Sequence, residues 1–407
     1  MEKAVITGMG VVSPIGNDLA ELESNLFAGR HGIVPIDHFD TSDVAVRVHA
    51  PVTDLDPAAH FTGPQLRRLD GYSRFGLIAA RQAVRDSGLL DSIDPYRLGV
   101  FMSNSGLGGV GTVLGESETM REQGPRRVSP ALIPKWTANI LAGLVAIEAG
   151  ARGPAVSHTA ACAASSVSVG EGLRAIRHGY ADAVICGGGE ASSHKLVMAG
   201  FQNLRALTAS EDPDRASIPF DRERAGFVIG EGGAALVLES ESRARSRGAT
   251  IYAEVSGYGT TSDASHITAP AEDGEPIDRA IADALAEAGE KDETVYVNAH
   301  GTGTVKNDQV EAASIGRMFG DRALVSSTKS MTGHMLGAAG AAEAIAAVLS
   351  IRRGAAPPTA GTAEIDEDMK IDVVRGRART AELSRAVSLS LGFGGHNVCL
   401  VVDRAEG

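Results

Sequence analysis

Cysteine is scarce: the chain has three, Cys162, Cys186 and Cys399. An odd number without metal-ligand spacing argues against both a disulfide framework and a zinc site. Positive charge is also short, with 38 lysines and arginines against 51 aspartates and glutamates and a formal net charge of −13. General binding to nucleic acid or to an anionic membrane is thereby disfavoured, because neutralising phosphates needs a basic surface. An acidic partner must dock on a local basic patch. The opening "MEKAVITG" lacks the charged start, hydrophobic run and cleavage site of a signal peptide, which points to a cytoplasmic protein. Long apolar runs are missing too. The longest small-residue run, "GHMLGAAGAAEAIAAVLSI", carries His334 and Glu343, falls short of a clean membrane span and is expected to be a buried helix.

What remains, in 407 residues, is 43% hydrophobic, 4% aromatic and rich in glycine, with 49. That describes an α/β protein with many tight turns, of two or three domain-sized units or one large duplicated domain. Buried strands are expected at "KAVITGMGVV", "LGVFMSN", "ADAVICGGGE" and "GGAALVLES", with helices such as "SRFGLIAARQAVRDSG" between them, the alternation of βαβ units. The halves echo one another in order. "AVITGMGVVSPIGND" matches "AEVSGYGTTSDAS", "LGVFMSNSGLGG" matches "VYVNAHGTGT", and "SHTAACAASSVSVGEGLRAI" matches "SSTKSMTGHMLGAAGAAEAIAAVL". Duplication predicts two halves, 1–249 and 250–407, divided at the charged "ESRARSRGAT" stretch. Packed about a pseudo-twofold axis, they would bring corresponding loops, and so Cys162 and His334, to one place.

Cys162 stands where a helix should begin, and a helix N-terminus can lower a thiol pKa by favouring the thiolate. A cysteine among alanines is equally read as a small packed hydrophobe. Cys186 and Cys399 lie within apparent strands and are assigned to the core. "HGTGT" follows the strand "TVYVNA" and can carry His300 into a cleft, while His334 sits before the small-residue helix. Taken alone, each histidine also reads as a buried structural residue. Lys329 and Glu343 flank the run around His334 as a possible buried pair or as two solvated ends. The turn in "LGFGGHNVCLVV" can aim backbone N–H groups at a developing oxyanion, or be an ordinary hairpin. "GMGVVSPIG" lacks the third glycine and the acidic residue of a dinucleotide fingerprint.

Taken together, Cys162, "NAHGTGT", "SSTKSMTGH" and "GFGGHN" resemble, in order and approximate spacing, the β-ketoacyl-ACP synthases of the thiolase superfamily, closest to the β-ketoacyl-ACP synthase II type. The similarity runs from "VITGMGVVSPIG" through "IPFDRERAGFVIGEGGAALVLE" to the last strand. It implies an α/β thiolase fold, a duplicated five-layered αβαβα, usually dimeric, that condenses a cysteine-bound acyl chain with malonyl-ACP and needs neither a metal nor an organic cofactor. By matching position, Cys162 is the acylated nucleophile, His300 and His334 are the decarboxylation pair, Lys329 supports them electrostatically and Glu343 is its structural partner. The N–H groups of Cys162 and Phe393 would form the oxyanion hole, and Phe393 resembles the family's gatekeeping phenylalanine. Asp308 and Glu311 match supporting acidic positions. Arg67, Arg68 and Arg205 resemble basic residues that meet the acyl carrier protein.

The chain departs from the family pattern in places. The nucleophile motif reads "TAACAAS", with Ala160 and Ala161 before Cys162 and Thr159 one position further away. "GFGGHN" carries His396, assigned a structural role. Leu391 replaces a common phenylalanine, Leu389 stands where asparagine is usual, and Trp136 lies in a segment that borders the family's acyl tunnel and dimer interface. The expected activity is elongation in fatty-acid or type II polyketide assembly, as a homodimer or as a heterodimer with a chain-length factor. A chain-length factor itself lacks the nucleophile. A degradative thiolase needs a second catalytic cysteine in a C-terminal glycine-rich loop, where this chain has none.

Overall fold

The computed structural model describes residues 2–289 and 291–405. Strand β1 (Ala4–Val12) is buried along its whole length, and its glycines explain why a helix can lie flat on it. A Cβ on Gly8 or Gly10 would collide with the carbonyl oxygens of Ala83 and Ala79, one turn apart on helix α1 (Gly71–Ser87). The same device recurs in strand β6 (Ala253–Ser262), where Gly257 and Gly259 face Ala284 and Ala280 of helix α4 (Glu275–Ala288). The echo between "VITGMG" and "EVSGYG" is thus a repeated strand-to-helix contact.

The first half supplies, besides β1, strands β2 (Leu98–Ser103), β3 (Ala155–Val156), β4 (Ala183–Glu190) and β5 (Gly232–Ser240). The second supplies, besides β6, β7 (Val295–Asn298), β8 (Ala323–Ser326), β9 (Asp372–Val373), β10 (Arg385–Gly392) and β11 (His396–Asp403). Their spatial order is β9-β8-β7-β10-β11-β6-β1-β5-β4-β2-β3. Read outward from the β6/β1 contact, the five strands of the first half match five of the second, which adds β9 at its edge. In each, an antiparallel trio (β1, β5, β4 or β6, β11, β10) is followed by parallel partners (β2, β3 or β7, β8). Among the described residues, Ala4–Ile6 and Ala253–Val255 join the sheets of the two halves.

Helices α3 (Ala164–Arg177) and α6 (Ala339–Arg353) pack between the sheets and touch both. The outer faces are covered by α1 and α2 (Ile140–Ala149) on one side and by α4 and α5 (Val305–Phe319) on the other. The result is the five-layered αβαβα thiolase fold. Burial on every side dictates the composition of the central pair, and α6 is buried from Ala339 through Ile351. A Cβ on Gly340 would run into the Ser166 hydroxyl. Overpacking there would cost about 1–3 kcal/mol. Hydrogen bonds tie this layer together: Ala341 N–H donates to Ser165 Oγ at 3.0 Å, and the Ser166 and Ser390 hydroxyls bond at 2.8 Å. The "GHMLGAAGAAEAIAAVLSI" run is the buried helix its composition predicts, and no helix among the described residues is long and apolar enough to cross a membrane.

Candidate active site

Each central helix is entered through one 3₁₀ turn, Ala161–Ala163 before α3 and Leu336–Ala338 before α6. The first residue of each turn has a left-handed backbone, with φ +47° at Ala161 and +44° at Leu336. Non-glycine residues adopt this conformation at a cost of about 1–2 kcal/mol. The repeated strain reverses the chain sharply at the end of each approach, so that Cys162 in one turn and His334 ahead of the other face one cavity of about 720 Å³. His300 joins them from the loop after β7, and Phe393 and Leu391 from the β10–β11 hairpin.

Cys162 is half-buried, whereas Cys186 and Cys399 are enclosed within β4 and β11. Burial pushes the Cys162 thiol up to about 12, opposed by the Lys329 ammonium and by the Phe393 N–H, which donates toward the sulfur. The expectation of a thiolate favoured by the helix start is therefore corrected. The 3₁₀ turn sets Cys162 ahead of α3, and desolvation by the cavity wall outweighs the nearby positive groups. At neutral pH the resting residue is a thiol.

The imidazoles of His300 and His334 meet edge to face, with ring centroids 5.3 Å apart. Burial, followed by the Lys329 charge, holds both well below the ordinary histidine pKa of 6.5, so both are neutral. The Leu336 N–H donates to His334 Nδ1 at 3.3 Å. A neutral ring that accepts at Nδ1 carries its proton on Nε2. That Nε2, like Nδ1 of His300, is enclosed and has no partner among the described residues. Buried polar groups are rarely left so without a ligand to satisfy them. Lys329, 1% exposed, forms a buried ion pair with Glu343.

Asp308 and Glu311 share one face of α5 and hold the "HGTGT" loop from below. Glu311 accepts the N–H of His300 at 2.6 Å and of Gly301 at 2.8 Å, while Asp308 accepts those of Gly303 at 3.1 Å and Phe220 at 2.8 Å. Burial pushes Glu311 up to about 7, against the Gly301 N–H and with help from Asp308. Asp308 is also raised by burial. Their carboxyls position backbone and do not face the cavity.

Other expected residues divide. Arg205 lines the cavity at its exposed rim with Lys306, Asp263 and Glu272, whereas Arg67 and Arg68 are exposed elsewhere and do not line it. Trp136 is not brought into this cavity. It ends the short helix Leu132–Trp136, which buries no residue, and is 50% exposed. His396 is exposed beside Gly394 and stays apart from the histidine pair, and Leu389 is core.

Three contributors were missed in the sequence. Phe201 and Phe227 line the cavity and link Phe393 to His334, with successive centroid separations of 6.2, 5.5 and 5.1 Å. In a chain so poor in aromatics each phenylalanine was itself a signal. Glu190, buried at the end of β4, accepts the N–H of Ser105 at 3.0 Å and of Gly337 at 3.2 Å, tying the first half to the turn that follows His334. An acid closing the apolar run "AVICGGGE" could have marked it.

Models of the β-ketoacyl synthase N-terminal and C-terminal domains match residues 1–244 and 252–363. The chain belongs to the β-ketoacyl synthase family. This synthase is 43% identical to the 3-oxoacyl-[acyl-carrier-protein] synthase 2 of Synechocystis sp., over 100% of this chain and 99% of that protein. Among solved structures it resembles the ishigamide ketosynthase/chain length factor, with a TM-score of 0.92, 36% identity and full coverage of both chains. It also resembles a type II polyketide ketosynthase, bound to the hexaketide and in complex with its acyl-carrier protein, with a TM-score of 0.89, 30% identity and coverage of 99% and 100%.

Proposed function

We propose that this synthase extends a Cys162-bound acyl chain by two carbons through decarboxylative Claisen condensation with malonyl-ACP, in fatty-acid or type II polyketide elongation. The observation that carries the reading is a cysteine sharing one cavity with two neutral imidazoles, each presenting an enclosed nitrogen without a partner among the described residues. In the first step Cys162 sulfur attacks the carrier thioester, the Phe393 and Cys162 N–H groups receive the oxyanion, and the thiol proton leaves with the carrier thiol. In the second, His334 Nε2–H and His300 bind the malonyl thioester carbonyl. Loss of carbon dioxide then leaves an enolate that these groups and Lys329 stabilise. The enolate carbon attacks the acyl-cysteine, a carbon–carbon bond forms, the carbon–sulfur bond breaks, and Cys162 departs as a thiolate that takes a proton from water.

The neutral state of the histidines supports this role, since a hydrogen-bond donor is needed and a full positive charge is not. Arg205 and Lys306 at the rim, with Arg67 and Arg68, are proposed to receive the acidic carrier protein, which reconciles the acidic chain with an acidic partner. Residues 1–249 and 250–407 are proposed as the two halves, one bringing the nucleophile and the other the histidines. The chain acts as a dimer, with itself or with a chain-length factor. The edge strand β3, with Val156 exposed, and the exposed Ile133 and Trp136 offer the apolar edge that such a partner covers.

Intact-protein mass spectrometry tests the first step: an acyl-ACP donor should add one acyl group that Cys162→Ala abolishes, and persistent labelling of that variant overturns the assignment. Replacing His300 or His334 by Ala should suppress malonyl decarboxylation more than acylation, and the reverse order contradicts their roles. A second reading is a pathway-dedicated polyketide ketosynthase paired with a chain-length factor, favoured by the 36% identity to such a ketosynthase structure. Sizing the products from a series of acyl-ACP primers separates the two.

A further inference from the structure

A second cavity, of about 670 Å³, shares no lining residue with that of Cys162. Asp37, His38, His49 and His194 line it, together with Glu231, whose carboxylate accepts the Val52 N–H at 3.1 Å. Three of the chain's 11 histidines therefore meet in one place that the condensation does not use.

Hydrogen bonding fixes how two of these rings present themselves. His38 Nε2 lies 2.7 Å from the Ser193 carbonyl oxygen, which can only accept, so that nitrogen carries a proton and Nδ1 is the ring atom left for another partner. Nδ1 lies 4.0 Å from the Asp37 carboxylate. His49 is held by the same residue, its Nδ1 2.9 Å from Ser193 Oγ, and its ring lies 4.8 Å from that of His38 at an interplanar angle of 34°. One donor atom from each of Asp37, His38 and His49 lies within 4.8 Å of the other two.

We propose that Asp37, His38 and His49 form a site for a divalent transition-metal ion of the zinc class, separate from the condensing centre and oriented by Ser193. Two imidazoles and one carboxylate are the donor set such an ion takes, with water completing the shell. Outer hydrogen bonds from ligand histidines to a carbonyl or hydroxyl are the usual means of fixing ring orientation. Bonds of about 2.0–2.1 Å require the donors to close in from their present spacing. The exposed Asp37 side chain, 94% accessible, is free to make that movement while the anchored rings stay in place. The ion would fasten the segment carrying residues 37–49 to the turn at Ser193.

The test is a titration of the chelator-treated full-length dimer with Co²⁺, after Cys162 has been blocked with iodoacetamide so that the condensing site cannot supply a thiolate. One equivalent should give the visible absorption of low-coordinate cobalt, which Zn²⁺ then displaces, and Zn²⁺ should raise the thermal midpoint. Ser193→Ala should weaken binding about 10- to 100-fold, and His49→Ala and Asp37→Asn by at least about tenfold. His49 is buried and its variant can fail to fold, whereas Asp37→Asn alters an exposed side chain and retains the wild-type rate of Cys162 alkylation. Absence of stoichiometric binding in the wild type, or affinity unchanged in Asp37→Asn, overturns the proposal.

Discussion

Replacing Glu311 by glutamine tests how the loop holds His300. The carboxylate receives two backbone N–H groups, from His300 at 2.6 Å and Gly301 at 2.8 Å, on separate oxygens. In a glutamine of the same shape one oxygen becomes an NH₂ group, so whichever way it turns one N–H faces a donor. A buried N–H left unpaired costs about 1–3 kcal/mol. The loop can recover part of that by shifting, which moves His300 from its place opposite His334. If the lost energy appears in the transition state, about 1.4 kcal/mol corresponds to tenfold, so malonyl decarboxylation should fall roughly 10- to 100-fold. Alkylation of Cys162, which depends on another loop, should be unchanged. The pH dependence supplies a second readout. Glu311 is raised from 4.5 to about 7 in the folded protein, so between those values the folded state holds a proton the unfolded state has released, and stability from this group falls as pH rises through the window. Glutamine removes that contribution and should flatten the thermal midpoint between about pH 4.5 and 7 relative to wild type. A Glu311→Gln enzyme with wild-type decarboxylation and an unchanged pH profile would refute the loop-positioning argument.

Glu343→Ala leaves Lys329 charged and buried without its partner, a loss of about 3–5 kcal/mol measurable by chemical denaturation; Lys329→Met with Glu343→Leu should recover the stability but not decarboxylation. Because burial raises the Cys162 thiol to about 12, its rate of alkylation by iodoacetamide should keep climbing beyond pH 9, where a model thiol levels off. A plateau below pH 8 would mean that the helix start dominates after all. Ala161→Val places a β-branched residue at φ +47°, which should cost a further ~1–3 kcal/mol and slow acylation of the adjacent Cys162, read by thermal denaturation and mass spectrometry together.

The duplicated plan was legible in the sequence because its cause is local. Gly8 and Gly10, and their counterparts Gly257 and Gly259, are required wherever a helix lies against a strand backbone, so the repeat of glycine spacing survives where other side chains differ. The small-residue composition of α6 likewise announced a helix enclosed on all sides. Family resemblance supplied roles for Cys162, His300, His334 and Lys329 because those residues lie in short contiguous motifs.

What only the tertiary structure decided were the properties that depend on residues far apart in the chain. Cys162, Lys329 and Phe393 lie in separate segments, and the balance between burial and their charges, which leaves a thiol where a thiolate was expected, exists only after folding. The proton on His334 Nε2 follows from a backbone N–H two residues on, once a strained turn has aimed it. Phe201, Phe227 and Glu190 have no motif, since an aromatic wall and a carboxylate bridging two halves are defined by what they touch. Trp136 shows the converse: its segment pointed to the acyl tunnel or to the dimer interface, and only the fold places it outside the Cys162 cavity, on a short helix with no buried face. Short contiguous motifs carry the identities of the reacting groups, whereas packing of the two halves sets their protonation, their partners and the space between them.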